Sequence, residues 1–231
     1  MERLNLRIRL LMYFAGLFIM TMGIALSVKS DLGVSPVSSV PYTMTCVWGI
    51  EMGRATILFH VGLVLLQILL LRKNFRKADL LQILVGVVFG YFTTFCNWGA
   101  GFLPSPESFA LRVGLALFSV LFVAVGIFLY MPANVMPLAG EGAMMAVSKV
   151  SGIKFHKVKI GFDVSMVSIS LVVCAVLLHS FGSVGLGTVL AAVLVGIVLG
   201  FINRYFGPWR DSLLSREGED SDGNVSVPAR V

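Results

Sequence analysis

Apolar stretches of 16 to 21 residues recur six times along the chain, at 10–28, 56–71, 80–98, 113–131, 160–178 and 186–206. Each is close to the roughly 20 residues a helix needs to cross the hydrocarbon core, with 56–71 the shortest. Six transmembrane helices are therefore expected, in an all-α polytopic membrane protein.

Two segments between these runs, 31–53 and 132–155, are too apolar for ordinary loops and too broken for full spans. Ser35 before Pro36 reads as a helix N-cap followed by a good first helical residue, and Pro137 plays a similar part in the second segment. Gly49 and Gly152 read as stops. Short helices are expected at about 35–49 and 137–151, each about 20 Å long and so short of a crossing. Irregular chain at membrane depth is tolerated where protein covers it or where it lines a cavity.

The two broken segments lie at equivalent places in an internal repeat. A shift of 103 residues carries Gly23, Ile24 and Leu26 onto Gly126, Ile127 and Leu129, Gly49 and Ile50 onto Gly152 and Ile153, and Ile57, Phe59 and Val61 onto Ile160, Phe162 and Val164. The last helix of each half matches at a shift of 110, where Gly86 and Gly90 meet Gly196 and Gly200. The expected organisation is a three-helix repeat in 1–103, a second in 104–207, and a disordered cytoplasmic tail over 208–231, where a polar acidic run cannot bury enough apolar surface to fold.

Charge adds orientation. Arg3, Arg7 and Arg9 precede the first run, Arg72, Lys73, Arg76 and Lys77 fill the turn after the second, Lys149, Lys154, Lys157 and Lys159 end the second broken segment, and Arg204, Arg210 and Arg216 follow the last run. Basic residues mark cytoplasmic flanks, so both termini are expected inside, leaving Lys29, Arg54 and Arg112 as the outer exceptions among 18 Lys and Arg. An odd number of crossings per repeat makes the second copy inverted, the organisation of many secondary transporters. The first run is longer than a usual signal-peptide core and lacks a small-residue cleavage site, so it reads as a retained helix.

Composition agrees: 57% of the 231 residues are hydrophobic and 13% charged, against about 25% charged in a soluble domain. No polar domain gathers the +6 net charge for nucleic-acid binding. Cys46, Cys96 and Cys174 are odd in number and lie in apolar stretches, which suits packing better than disulfides or zinc. Hydrolytic, nucleotide-binding and redox motifs are absent, so no enzyme, cofactor or metal is expected.

Candidate site residues are the polar groups in or beside the spans, since such groups are expensive to bury. His60 and Asp163 hold equivalent places in the two repeats and form a candidate coupling or gating pair. Against that, Asp163 has Lys159 four residues before it, and His60 suits an interfacial position. Glu141 stands between two glycines at the start of the second short helix, either stabilised by the helix dipole or binding solute or a proton. Ser35, Ser38 and Ser39 at the first short helix would cap and pack, or present hydroxyls and N–H groups to an anion. Lys29 and Asp31 form a local salt bridge or the rim of an entry path. Gly86 with Gly90, and Gly196 with Gly200, form small-residue faces for close helix packing.

The segment from Lys29 to Pro36 (KSDLGVSP), together with Pro137 to Gly142 (PLAGEG) and Val158 to Asp163 (VKIGFD), resembles motifs of the YczE/YyaS/YitT-like family of bacterial integral membrane proteins. The resemblance spans roughly 8–206 and implies a bacterial plasma-membrane location. Gly187-Thr188 resembles the start of the family's last helix, whereas its first-half equivalent, Lys77-Ala78, departs from the pattern. The expected partners are the bilayer and a small polar solute, an anion included. A homo-oligomer is compatible with the chain. The leading expectation is a secondary transporter or permease, and the rival is a non-transporting scaffold or regulatory partner of another protein.

Overall fold

A computed structural model describes residues 2–180 and 182–215 as helices and short connections. In order they are α1 (Glu2–Ser30), α2 (Pro36–Trp48), α3 (Met52–Leu71), α4 (Leu81–Gly101), α5 (Phe109–Tyr130), α6 (Ala139–Ser151), α7 (Phe155–Leu178) and α8 (Leu186–Ser215), with two 3₁₀ turns between α3 and α4. Six of these, all but α2 and α6, are long and apolar enough to cross a membrane. This is an all-α membrane protein.

Local chemistry sets the helix ends. The shortest apolar run becomes a 20-residue helix because Glu51 caps it, its carboxylate accepting from the N–H groups of Gly53 and Arg54 at 2.8 and 3.0 Å. The two 13-residue helices, α2 and α6, end on glycines in the left-handed region, Gly49 at φ 66° and Gly152 at φ 71°. There the C′ residue turns its N–H back onto the last helical turn. Pro36 opens α2, but Ser35 makes no capping bond; its hydroxyl donates to Ser38 Oγ at 3.0 Å. α6 begins at Ala139 behind Leu138, two residues later than Pro137 suggests.

The tail is a second correction. Residues 208–215, expected to be disordered, continue α8 through Pro208. Arg210 holds this extension down: it donates to Asn203 Oδ1 at 2.7 Å and to the Phe128 carbonyl at 3.4 Å, and its guanidinium lies 4.6 Å over the Phe128 ring. The expectation for 216–231 lies outside the described residues.

Packing centres on α1 against α5. Glycines allow the approach: a Cβ on Gly16 would lie 2.7 Å from the Gly126 carbonyl, and one on Gly23 would lie 2.8 Å from the Ser119 carbonyl. A 103-residue shift exchanges these two contacts. α4 packs on α1 and α8 on α5. Each short helix packs on a long helix of the other half, α2 on α7 and α6 on α3. One pairing lacks its counterpart: α3 lies along α4, whereas α7 and α8 make no comparable contact.

Candidate functional site

The N-terminal end of each short helix sits in a cluster of buried polar side chains completed by the opposite half. At α2, Ser38 is 8% exposed and Ser39 fully buried. Ser39 donates to the Pro36 carbonyl at 2.6 Å and accepts from Ser170 Oγ of α7 at 2.9 Å. One turn further along α2, Thr43 Oγ1 lies 2.6 Å from Ser183 Oγ in the α7–α8 connection. Ser170 stands two turns before the end of α7, while Ser183 lies beyond that end. α2 therefore runs in the same direction as α7, with its N-terminal end beside the interior of that span.

The approach to α2 is tight. Gly33, at φ 98°, lies where a Cβ would be 2.5 Å from the Gly185 nitrogen, and the N–H of Gly187 donates to the Leu32 carbonyl at 2.6 Å. Gly187-Thr188 thus starts α8 directly against the α1–α2 turn, and Lys77-Ala78 has no such role, lying in a 3₁₀ turn.

At α6, Glu141 accepts from the Tyr130 hydroxyl. Tyr13 packs edge-on to Tyr130, ring centroids 5.9 Å apart, and donates to the Met136 carbonyl at 2.8 Å. Gln67 of α3 donates from Nε2 to Gln82 Oε1 of α4 at 2.9 Å and to the Ala139 carbonyl at 3.2 Å. Both glutamines are 2% exposed. A Cβ on Gly142 would lie 2.5 Å from Gln82 Oε1, so glycine there makes room for the two amides. The 103-residue shift exchanges the Ser39–Ser170 contact with the Gly142–Gln67 contact. The clusters are related in position and unequal in chemistry: small hydroxyls at α2, a carboxylate, two phenols and two amides at α6.

His60 and Asp163 lie apart from both clusters. His60 is 4% exposed, stacks on Phe89 with centroids 5.5 Å apart, and faces Gly86. It makes no hydrogen bond among the described residues, and its Nδ1 is buried without a partner. Asp163 is held by Lys159 at 2.7 Å through Oδ2, the local ion pair its spacing suggests, while Oδ1 is buried and unpartnered. At the rim, Asp31 pairs with Arg112 at 3.0 Å rather than with Lys29. Gly86 and Gly90 pack on α3, but Gly196 and Gly200 meet nothing: a Cβ on either would find no atom within 4 Å. The close packing expected at that second glycine face is not made.

Sequence reasoning missed Gln67, Gln82, Tyr13, Tyr130 and Ser170. Their signal was present, since a glutamine inside an apolar run is as costly to bury as a serine at its end. Among the described residues no three His, Cys, Asp or Glu come together as metal ligands. Two open surface hollows lie elsewhere, one over Gly114, Leu117, Phe118 and Leu121 on α5 and one beside the 103–107 loop.

No solved structure matches this chain. It is 25% identical over 198 residues to a protein of Bacillus subtilis (strain 168) called "Uncharacterized membrane protein YczE", covering 85% of this chain and 86% of that one. The model of a family of unknown function, DUF6198, matches residues 7–204. With motifs, helices and match running over the same span, the chain belongs to this YczE-like membrane family.

Proposed function

We propose that this chain is a secondary transporter or permease for a small polar solute, an anion included, in the bacterial plasma membrane. The observation that carries the reading is the pair of polar clusters, each built at depth where a half-length helix begins. Burying hydroxyls, amides and a carboxylate among lipid-facing helices costs free energy, and a packing role for α2 and α6 needs none of them. The exchange of the Gly16–Gly126 and Gly23–Ser119 contacts, and of the Ser39–Ser170 and Gly142–Gln67 contacts, supports a two-fold axis between the halves. With the basic flanks inside, that axis lies in the membrane plane, the repeats are inverted, and α2 and α6 enter from opposite faces. Their N-termini then both point toward the bilayer centre, where two positive dipole ends favour an anionic group. Ser38 and Ser39 contact the solute, with Ser35 beside them, Glu141 binds a proton or a donor group of the solute, and Lys29 and Asp31 lie on its entry rim.

One observation favours the rival, a non-transporting membrane partner: the polar side chains at the starts of the two short helices are mostly buried and bond to one another. Transport decides between them. Reconstituted protein is screened for saturable uptake of isotopically labelled phosphate, sulfate, carboxylates and amino acids. The expected result is uptake of one class, lowered roughly tenfold or more in Glu141→Gln, as loss of one charge-assisted hydrogen bond implies. Unchanged uptake in Glu141→Gln removes the α6 cluster from the path, and no uptake of any class favours the rival.

A further inference from the structure

Divided at the extensive α3–α4 contact, the eight helices fall into two groups. α1, α4, α5 and α8 form one, with α4 and α5 on α1 and α8 on α5. α2, α3, α6 and α7 form the other, with α2 on α7 and α3, and α6 on α3 and α7. A single extended seam joins the bodies, α3 on α4, beside brief contacts of α2 with α8 and α6 with α4. That seam is closed as far as sterics allow: a Cβ on Gly86 would lie 2.8 Å from both Cβ and Nδ1 of His60. Its repeat-equivalent, α7 on α8, stands open. Gly196 and Gly200 face empty space, and Ile160, the counterpart of Ile57, is 63% exposed.

The seams carry a titratable side chain at equivalent places, beside Glu51, which accepts from Thr94 Oγ1 across the closed one at 3.1 Å. In the closed seam it is His60, without any hydrogen bond or ion pair. In the open seam it is Asp163, with one carboxylate oxygen left over from Lys159. Titratable groups on the helices packed against α3 are Tyr42 and Cys46 of α2, Tyr91 and Cys96 of α4, and Glu141 and Lys149 of α6; those of α2 and α6 also lie on helices packed against α7. None of them bonds to His60 or Asp163 among the described residues. An uncompensated buried charge is expensive, so the closed α3–α4 seam requires a neutral imidazole, and pressing the unpartnered Oδ1 of Asp163 against Gly196, away from Lys159, favours a protonated carboxyl.

We propose that the proton selects between two packings of the bodies: uptake by His60 releases α3 from α4, and uptake by Asp163 lets α7 close on α8. Both protonations act in the same direction, so acid drives the molecule from the packing described here to its complement. The use of this switch in transport rests on the permease reading, but the switch itself is tested without a solute.

The test is pulsed EPR distance measurement on the full chain in phosphatidylethanolamine–phosphatidylglycerol liposomes, with Cys46, Cys96 and Cys174 replaced by alanine. One labelled pair, Leu58→Cys with Tyr91→Cys, reads the α3–α4 seam. The other, Gly161→Cys with Phe201→Cys, reads its equivalent. All four positions are exposed. Between about pH 8 and about pH 3, which brackets the ordinary ranges of both histidine and aspartate, the first distance is expected to lengthen. The second should shorten toward the value the first shows at about pH 8. Asp163→Asn should shorten the α7–α8 distance already at about pH 8, and His60→Gln should hold the α3–α4 distance short at about pH 3. Distances that ignore pH, or an acid response that survives in the double variant, overturn the proposal. If the distances respond while no solute crosses, the switch stands and the permease reading falls; if they do not respond while uptake saturates, the reverse holds.

Discussion

At the level of single residues, sequence alone makes Gly86/Gly90 and Gly196/Gly200 look alike, and the fold makes them opposites. The spacing tells which positions can pack, but the neighbour that fills the space comes from another part of the chain. A methyl group on Gly86 would press on His60, and one on Gly196 would meet nothing. Gly86→Ala is expected to cost about 1–3 kcal/mol, as overpacking does. Gly196→Ala should be neutral or gain up to about 1 kcal/mol from helix propensity. Thermal unfolding in detergent measures both, and equal effects at the two sites would contradict the asymmetry. Polar residues were legible in part. Ser39 and Glu141 stand out at helix starts, and each finds a partner there. Gln67 and Gln82 lie 15 positions apart, and only the antiparallel packing of α3 on α4 brings their amides to 2.9 Å.

Among elements, apolar length located all six long helices, and the glycine stops located the ends of both short ones. The starts were less legible, because Ser35 spends its hydroxyl on Ser38 instead of capping and α6 opens behind an uncapping Leu138. The end of α8 was missed for a physical reason: its last turns are polar in sequence and are held by tertiary contacts of Arg210, whose side chain is only 11% exposed. Arg210→Ala is therefore expected to remove about 1–3 kcal/mol of local stability, the range for hydrogen bonds to a charged group. Hydrogen exchange should accelerate over 204–215 and stay unchanged over 186–200. Uniform protection along α8 in the variant would show that the extension holds without Arg210.

For the molecule as a whole, the six spans were legible from apolar length and the glycine spacing suggested a repeat, whereas the openness of the α7–α8 seam was not legible. Which of two equivalent packings a chain adopts is a small difference between large, similar energies, and no residue pattern announces it. In the proposed reading, the site and the function are unified by α2 and α6 entering from opposite membrane faces as half-length helices, each ending at the surface and beginning at depth. Impermeant thiol labelling of single cysteines at Trp48 and Val150 tests that placement directly, since the two side chains are 59% and 57% exposed at the C-terminal ends of α2 and α6. In intact cells, Trp48→Cys should be modified from outside, and Val150→Cys only after the membrane is opened. Modification of both from the same side would contradict the account.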